Sequence, residues 1–329
     1  MLKLFEKSTV LQVVFILAAT ALLWIKAFVN PQPMAAAGYF APLYTLLEGL
    51  SLSPLLSTSI AMILVLLGGF LFNLMLAKAG IASQNSLLPT MMFIAAMSAS
   101  SPSLSPQLLA ALITIGVVNM LMLHSTLLTV ASDKIFGAAA LIGIASMFYL
   151  PALTLVVAYL LIAINYRLYG WRDWMVFLLG LLAPYLLLWT VQFLNGTLMD
   201  SFDAMGYDFT VFGFSLGAYT PLQAVANAFL LGVFTISLFV VWRRLSEKTV
   251  VWQKNATTVM VITFAALVIL PFAHVFPANL HFFALPFAFC ASQRLDLHPH
   301  RNHASRRPSW RQHLYDLLFV LILLAAILC

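Results

Sequence analysis

Long apolar runs, separated by short polar or proline-bearing turns, occupy almost the whole of this 329-residue chain. A run of about 20 apolar residues is long enough to cross a bilayer as one helix. The runs fall at 9–29, 57–77, 87–98, 107–124, 135–150, 152–165, 174–194, 222–242, 257–275, 280–293 and 314–329. This pattern predicts an all-α, polytopic membrane helix bundle with about eleven spans.

Two neighbouring pairs of runs contain segments too short to cross a bilayer unaided. The first pair, 87–98 and 107–124, is joined by the Ser/Pro-rich turn 98–106, and the second, 135–150 and 152–165, is joined at Pro151. Irregular backbone exposed to lipid is costly, so such turns lie inside protein. We therefore expect two short, re-entrant-like helix hairpins within the bundle.

Two further segments belong to neither the spans nor the tight turns. After the first run, Asn30-Pro31-Gln32-Pro33 stops the helix, because proline lacks the backbone N–H. The aromatic and leucine residues of 38–50 then predict a helix lying at the membrane interface. The longest connection, 195–221, carries Asp200, Asp203 and Asp208 but no Lys or Arg, and we expect it to be a loop.

The composition excludes a soluble protein. Hydrophobic residues make up 63% of the chain and charged residues only 8%, against about 25% charged in soluble domains. We expect a single transmembrane domain over 1–329, made of 1–194, the loop 195–221 and the C-terminal helices of 222–329. No linker or soluble domain interrupts it.

The positive charges predict the orientation of the chain. Loops that remain in the cytoplasm are enriched in Lys and Arg. With the amino terminus inside, fifteen of the sixteen cations fall on the cytoplasmic side: Lys3, Lys7, Lys78, Lys134, Arg167, Arg172, Arg243, Arg244, Lys248, Lys254, Arg294, Arg301, Arg306, Arg307 and Arg311. An odd number of spans then puts the carboxyl terminus in the periplasm, so we expect a multi-pass protein of the inner membrane.

The net charge of +6 does not indicate nucleic-acid binding, because the cations stand singly or in short groups at span ends. Only the inner loop 294–311 is dense in basic residues. It would face anionic membrane lipids, which attract each basic residue by roughly 1 kcal/mol. Membrane lipids are therefore the expected partners.

Lys26 is the one cation on the outer side, at the far end of the first run. A lysine there can hold a phosphate as a point charge, or it can simply extend to the outer headgroups. Asn30 lies one turn further, and Glu48 could pair with Lys26 across the interface. Lys26 and Asn30 are therefore candidates for binding a lipid phosphate.

The outer acids and histidines give a second set of candidates. Asp200 and Asp203 could hold a divalent metal or supply a general base, or they could be plain solvated loop residues. His274 and His281 bracket an outer turn, where they could bind the lipid phosphate, transfer protons or serve only as interface residues. The chain has no phosphate-binding loop, no G-x-S-x-G elbow and no H-E-x-x-H, so no motif predicts a cofactor or a resident metal.

Two stretches carry a resemblance to a known family. The outer segment GYFAPLYTLLE of 38–48 leads into a long inward span, and the second hairpin reads AALIGIASMFYLP at 139–151. In this order they resemble the membrane core of GT-C type glycosyltransferases, over about 9–194. The resemblance implies a polyprenyl-phosphate-linked sugar substrate. The whole chain also resembles an inner-membrane family of Bacteroidota, which implies no particular activity.

The chain departs from the GT-C pattern at one important position. The resembled enzymes carry a catalytic Asp or Glu soon after the first span, where this chain has Asn30. A carboxamide neither takes a proton at neutral pH nor brings charge to a metal. Either Glu48, Asp200 or Asp203 takes that role, or the fold has kept lipid binding and lost transfer.

Three functions follow as hypotheses. The first is a GT-C-like protein that handles a lipid-linked envelope precursor on the outer face. The second is a non-catalytic scaffold or accessory subunit with a membrane-protein partner. The third is a lipid or small-solute transporter, which requires a continuous polar path lined by Asn73, Asn119 and Gln192.

Overall fold

The structure is a computed structural model that describes residue 5 and residues 9–36, 38–82, 86–99, 103–122, 132–167, 170–210, 221–269, 280–296 and 310–328. Within these residues the regular structure is helical, so the predicted all-α class is confirmed. The α-helices are α1 Thr9–Val29, α2 Pro42–Glu48, α3 Pro54–Lys78, α4 Leu88–Ser98, α5 Pro106–Leu121, α6 Ser132–Phe148, α7 Leu155–Tyr166, α8 Trp171–Leu194, α9 Leu198–Thr210, α10 Pro221–Arg243, α11 Val250–Ile269, α12 His281–Asp296 and α13 Trp310–Leu328.

Five helices of the described chain are long and apolar enough to cross a membrane: α1, α3, α8, α10 and α11. Their outward faces carry large exposed apolar side chains, such as Leu187 and Leu194 on α8. A soluble protein rarely exposes so much contiguous apolar surface, whereas a bilayer covers it at no cost. Length, composition and exposed surface thus agree with a membrane helix bundle.

The short helix α4 lies at the centre of the described bundle. Every residue of α4 except Ala96 is buried. Near its start, the Leu87 N–H donates to Gln12 Oε1 of α1 at 2.8 Å. At its end, Trp24 Nε1 of α1 donates to Ser98 Oγ at 2.9 Å. Helices α1 and α4 therefore run in the same direction.

The two predicted hairpins do not form as closed helix pairs. Helix α4 packs mainly on α12 and α3, and α7 packs mainly on α11. Helix α6 packs between α5 and α8. The α4–α12 and α7–α11 contacts join helices distant in sequence, which local pattern alone does not reveal.

Helices α6 and α8 approach each other closely along parallel axes. A Cβ built at Gly180 would lie 2.6 Å from the Phe136 carbonyl oxygen. One built at Gly143 would lie 2.8 Å from the carbonyl oxygen of Leu181. Two small residues, one on each helix, thus permit backbone contact of the kind common between membrane helices.

Contacts between chain turns define two opposite ends of the bundle. At the first, here named the Tyr44 end, the Leu104 N–H donates to Ser57 Oγ at 3.3 Å. The Tyr39 and Tyr149 rings meet there edge to face, with centroids 5.8 Å apart. This end collects the last turns of α1, α4, α6 and α8 and the first turns of α3, α5 and α12.

The opposite end is named the Ala79 end. Asn255 Nδ2 of α11 donates to the Ala79 carbonyl at 3.1 Å, and Gln293 Nε2 of α12 donates to the Ile81 carbonyl at 2.7 Å. The Tyr166 and Thr258 hydroxyls bond at 2.8 Å. The ends of α3, α7 and α12 therefore meet the start of α11.

The structure differs from the predicted boundaries at α11 and in the connection 195–221. Helix α11 begins at Val250, not at 257, and the polar Asn255 ahead of the predicted start bonds inside the protein to the Ala79 carbonyl. The predicted loop contains the helix α9. Phe202 of α9 packs its ring on Trp189 of α8, with centroids 5.2 Å apart. This apolar contact between α9 and α8 stabilises the segment as a helix.

The interfacial helix predicted at 38–50 is shorter and better anchored than expected. Only Pro42–Glu48 is helical, and Tyr44 is fully buried. Helix α2 packs against α6. It is therefore a fixed part of the Tyr44 end, not a helix lying loosely on the surface.

The α6–α8 contact gives a first prediction. We expect Gly180→Val to lower the stability of the folded protein by about 1–3 kcal/mol, the usual cost of overpacking. The added Cβ would meet the Phe136 backbone and Ala139 Cβ. The melting temperature of the purified protein in detergent measures this loss.

Gly232→Val on α10 is the matched control, because a Cβ there meets no atom within 4 Å. Like Gly180→Val, this variant replaces a helical glycine by a β-branched residue. Equal melting temperatures for the two variants would show that α6 and α8 do not pack as described.

Candidate functional site

Tyr44 ties three chain segments together at the Tyr44 end. Its hydroxyl lies 2.5 Å from the Ala35 carbonyl and 3.1 Å from the Leu104 carbonyl. The Ala35 N–H also donates to the Leu104 carbonyl, at 3.3 Å. The segment after α1, the helix α2 and the turn before α5 therefore form one hydrogen-bonded unit.

The local sequence explains why helices begin at this unit. Ser53 and Ser105 cap α3 and α5, and their side chains accept hydrogen bonds from Leu56 N at 3.4 Å and Leu108 N at 3.2 Å. A proline follows each capping serine. Proline suits the first helical position because its missing N–H would have no partner there.

Glu48 places a carboxylate one helical turn from Tyr44. Burial, and second the charge of Glu48, raise the pKa of the Tyr44 hydroxyl above its ordinary value. Tyr44 therefore keeps its proton and acts as a hydrogen-bond donor. Glu48 is half-buried as the last residue of α2, so it lies between the packed unit and the surface.

The other predicted residues also lie at the Tyr44 end, but in different environments. Lys26 and Asn30 are exposed at the end of α1, where the Asn30 N–H donates to the Lys26 carbonyl at 3.0 Å. Asp200 and Asp203 are exposed on α9. His281, the first residue of α12, is buried. His274 lies outside the described residues.

Aromatic rings connect the α2 region with His281. The ring of Tyr39 contacts that of Tyr149, and Tyr149 stacks on Phe282 with centroids 6.1 Å apart. Phe282 follows His281 directly. The two segments that carry the GT-C resemblance, 38–48 and 139–151, therefore meet at this end and reach the start of α12.

Asp200 and Asp203 belong to a separate part of the Tyr44 end. Their helix α9 packs on α8, whereas α1, which carries Lys26, packs on α3, α4 and α13. The two aspartates are three positions apart and so share one side of α9. Among the residues described, no group of three His, Cys, Asp or Glu side chains could hold a metal ion.

The Ala79 end carries the opposite charge character. Nine cations with described side chains lie there: Lys78, Lys134, Arg167, Arg172, Arg243, Arg244, Lys248, Lys254 and Arg294. Asp133, Asp173 and Glu247 lie among them. Lys26 alone of the described cations lies at the Tyr44 end, so the charge separation expected from the sequence is also a spatial one.

The three amides of the transporter hypothesis lie in different surroundings. Asn73 is buried on α3. Asn119 is exposed on α5 and lines a groove that neither Asn73 nor Gln192 lines. Gln192 lies in the last turn of α8. The described residues thus give no support for one path lined by all three.

The sequence interpretation missed the structural role of Tyr44 and of the capping serines. Ser-Pro pairs at 53–54 and 105–106 were the available signal for two helix starts. The bonds of Tyr44 to Leu104 and of Trp24 to Ser98 join residues 60 and 74 positions apart. No local pattern predicts contacts at such separations.

The Tyr44 hydroxyl gives a second prediction. We expect Tyr44→Phe to destabilise the protein by about 1–3 kcal/mol, because buried carbonyls lose a donor. Thermal denaturation in detergent measures it. Tyr159→Phe is the control, since the Tyr159 ring keeps its stacking on Phe177 at 3.8 Å. A loss no larger for Tyr44→Phe than for this control would contradict the role given to the hydroxyl.

Compared with protein-family models, with curated proteins and with solved structures, the chain matches none.

Proposed function

We propose that the chain is an inner-membrane protein of about eleven spanning or re-entrant helices, with the Ala79 end in the cytoplasm. The nine cations at that end support this orientation, because cytoplasmic loops retain Lys and Arg. The neighbouring acids do not weaken it, since acids contribute little to the rule. The Tyr44 end then faces the periplasm.

This orientation gives a third prediction, on a chain whose Cys290 and Cys329 are replaced by Ala. Thr197→Cys, beside α9, should react in intact cells with a maleimide that does not cross the inner membrane. Ser246→Cys, next to α11, should react only after lysis. Both side chains are exposed. Labelling of Ser246→Cys in intact cells, with Thr197→Cys protected, would reverse the proposed orientation.

We further propose that the Tyr44 end handles a lipid-linked envelope precursor in a GT-C-like manner. The observation that carries this proposal is the meeting of segments 38–48 and 139–151 through Tyr39 and Tyr149. These are the two stretches that resemble GT-C enzymes. Their meeting point lies at the same end as the exposed Lys26.

Lys26 is the residue proposed to contact the lipid phosphate. Its side chain is exposed in the last turn of α1, at the end of a helix long and apolar enough to cross a membrane. A flexible ammonium can follow a phosphate there without a rigid pocket. Asn30, also exposed, can donate a hydrogen bond to the same headgroup.

Glu48 is the carboxylate that best suits a general base. It is half-buried beside the neutral donor Tyr44, whereas Asp200 and Asp203 are fully exposed on α9. Packing limits the positions that a half-buried carboxylate can take, and a general base must be held within reach of the proton it removes. Asp200 and Asp203 are the alternative, either as a base or as a two-ligand metal contact.

A non-catalytic lipid-binding scaffold is the second candidate. The observation that favours it is Asn30, which stands where the resembled enzymes carry their acid. In this case the Tyr44 end would bind the same class of lipid without transferring its sugar. A membrane-protein partner would then be expected at the exposed faces of the bundle.

The fourth prediction separates these candidates. In nanodiscs of neutral phospholipid, the protein should bind a fluorescent polyprenyl phosphate. Lys26→Gln should weaken binding about fivefold, as expected for loss of roughly 1 kcal/mol of charge attraction. With a polyprenyl-phosphate-linked sugar, Glu48→Gln should slow transfer at least about 100-fold with binding kept, as for loss of a general base.

Lys248→Gln is the control for binding, because it removes an exposed cation at the Ala79 end. Binding without transfer by the unchanged protein would favour the scaffold. Unchanged transfer in both Glu48→Gln and Asp203→Asn would remove these carboxylates from the mechanism. Absence of polyprenyl phosphate binding would contradict both candidates.

A further inference from the structure

A groove runs along the outside of the bundle between α3, α5 and α6. Its volume is about 440 Å³, within the range of roughly 300–1,000 Å³ typical of ligand sites. Leucine is the most frequent residue of its wall, and Leu67, Leu71 and Leu74 along α3 are each at least half exposed. The groove is therefore apolar and open at the side of the bundle.

Two small residues make this groove deep. A Cβ built at Gly68 of α3 would lie 2.5 Å from Leu112 Cδ2, and one at Gly116 of α5 would lie 3.0 Å from Leu141 Cδ1. The three helices that form the groove thus pack closely against one another.

The polar residues of the groove lie at one end of it. Lys78 is the last residue of α3, and Asn119 lies in the last turn of α5. Both line the groove and both are exposed. Since α3 and α5 both end at the Ala79 end, a cation and an amide line the same end of an apolar groove.

This arrangement matches the chemistry of one kind of molecule. Water cannot fill an apolar groove that faces hydrocarbon, so a hydrocarbon chain must cover the leucines. The lysine ammonium at the groove's end has no matching charge in hydrocarbon and favours a phosphate. The Asn119 amide can donate a second hydrogen bond to phosphate oxygen.

We infer that this groove binds one anionic phospholipid of the inner leaflet, with an acyl chain along α3 and the phosphate at Lys78 and Asn119. The site lies at the opposite end from the residues proposed to handle the lipid-linked precursor. It does not depend on that function. Lys78 thus has a binding role in addition to setting orientation.

The fifth prediction tests this site by native mass spectrometry. The full-length protein is reconstituted with equal amounts of phosphatidylglycerol and phosphatidylcholine and then released into detergent. The unchanged protein should retain phosphatidylglycerol in preference to phosphatidylcholine. Lys78→Gln should lower that preference about fivefold, the expected loss for one basic residue at a membrane surface.

Two further variants separate the charge from the groove. Ile113→Trp adds a large side chain at the groove wall, so it should lower retention of both lipids. Lys248→Gln removes an exposed cation that does not line the groove and should change nothing. An unchanged melting temperature shows that each variant is folded. If Ile113→Trp is not folded, Leu67→Trp replaces it.

Three results would overturn the inference. The first is equal retention of the two lipids by the unchanged protein. The second is an unchanged preference in Lys78→Gln. The third is an unchanged protein that is dimeric and an Ile113→Trp variant that is monomeric but retains its lipid. This result would show that a second copy of the chain covers the groove. None of these results depends on polyprenyl phosphate binding at the Tyr44 end.

Discussion

The bundle depends on satisfying backbone polar groups where helices end inside the protein. Hydrocarbon offers no hydrogen bonds, so each freed N–H or C=O near the membrane interior needs a protein partner. Gln12 of α1 shows how this is done. Its amide accepts from the Leu87 N–H at 2.8 Å and donates to the Phe5 carbonyl at 3.0 Å. One side chain thus satisfies the backbone N–H just before α4 and a backbone carbonyl before α1.

The same device recurs at two other turns of the described chain. Asn255 and Gln293 donate hydrogen bonds to backbone carbonyls in the turn after α3, at Ala79 and Ile81. In the turn before α5, Ser57 accepts from the Leu104 N–H and Tyr44 donates to the Leu104 carbonyl. Amides and hydroxyls within apolar helices can suggest a transport path when only the sequence is known. Here these amides and hydroxyls bond backbone groups at turns instead, which leaves fewer polar side chains to line a transport path.

The apolar runs are visible in the sequence, whereas the hydrogen-bond partners at the turns are not. Apolar periodicity and length predict α4 as Leu88–Ser98 almost to the residue, because its ends are marked by proline and by a Ser/Pro-rich turn. The same criteria place the start of α11 seven residues late, because Gln253, Lys254 and Asn255 interrupt the apolar run and the partner of Asn255 is not visible in the sequence. Gln293 and Ile81 are 212 positions apart. Partnerships of that kind exist only in the folded chain.

For the candidate site, the sequence predicts which end of the bundle its residues occupy but not how they are grouped. Charge bias alone places Lys26, Glu48, Asp200 and Asp203 on one side. Their separation into an α2 region and an α9 region depends on helix packing, through Tyr149 and Phe282 in one case and Trp189 in the other. Lys26 and Lys78 show the same limit, since each is a single lysine at the end of an apolar helix. Only packing shows that Lys78 stands at the mouth of a groove, because Gly68 and Gly116 let the helices behind it close. The position of a lysine at a helix end is thus visible in the sequence, whereas the residues that surround it depend on packing.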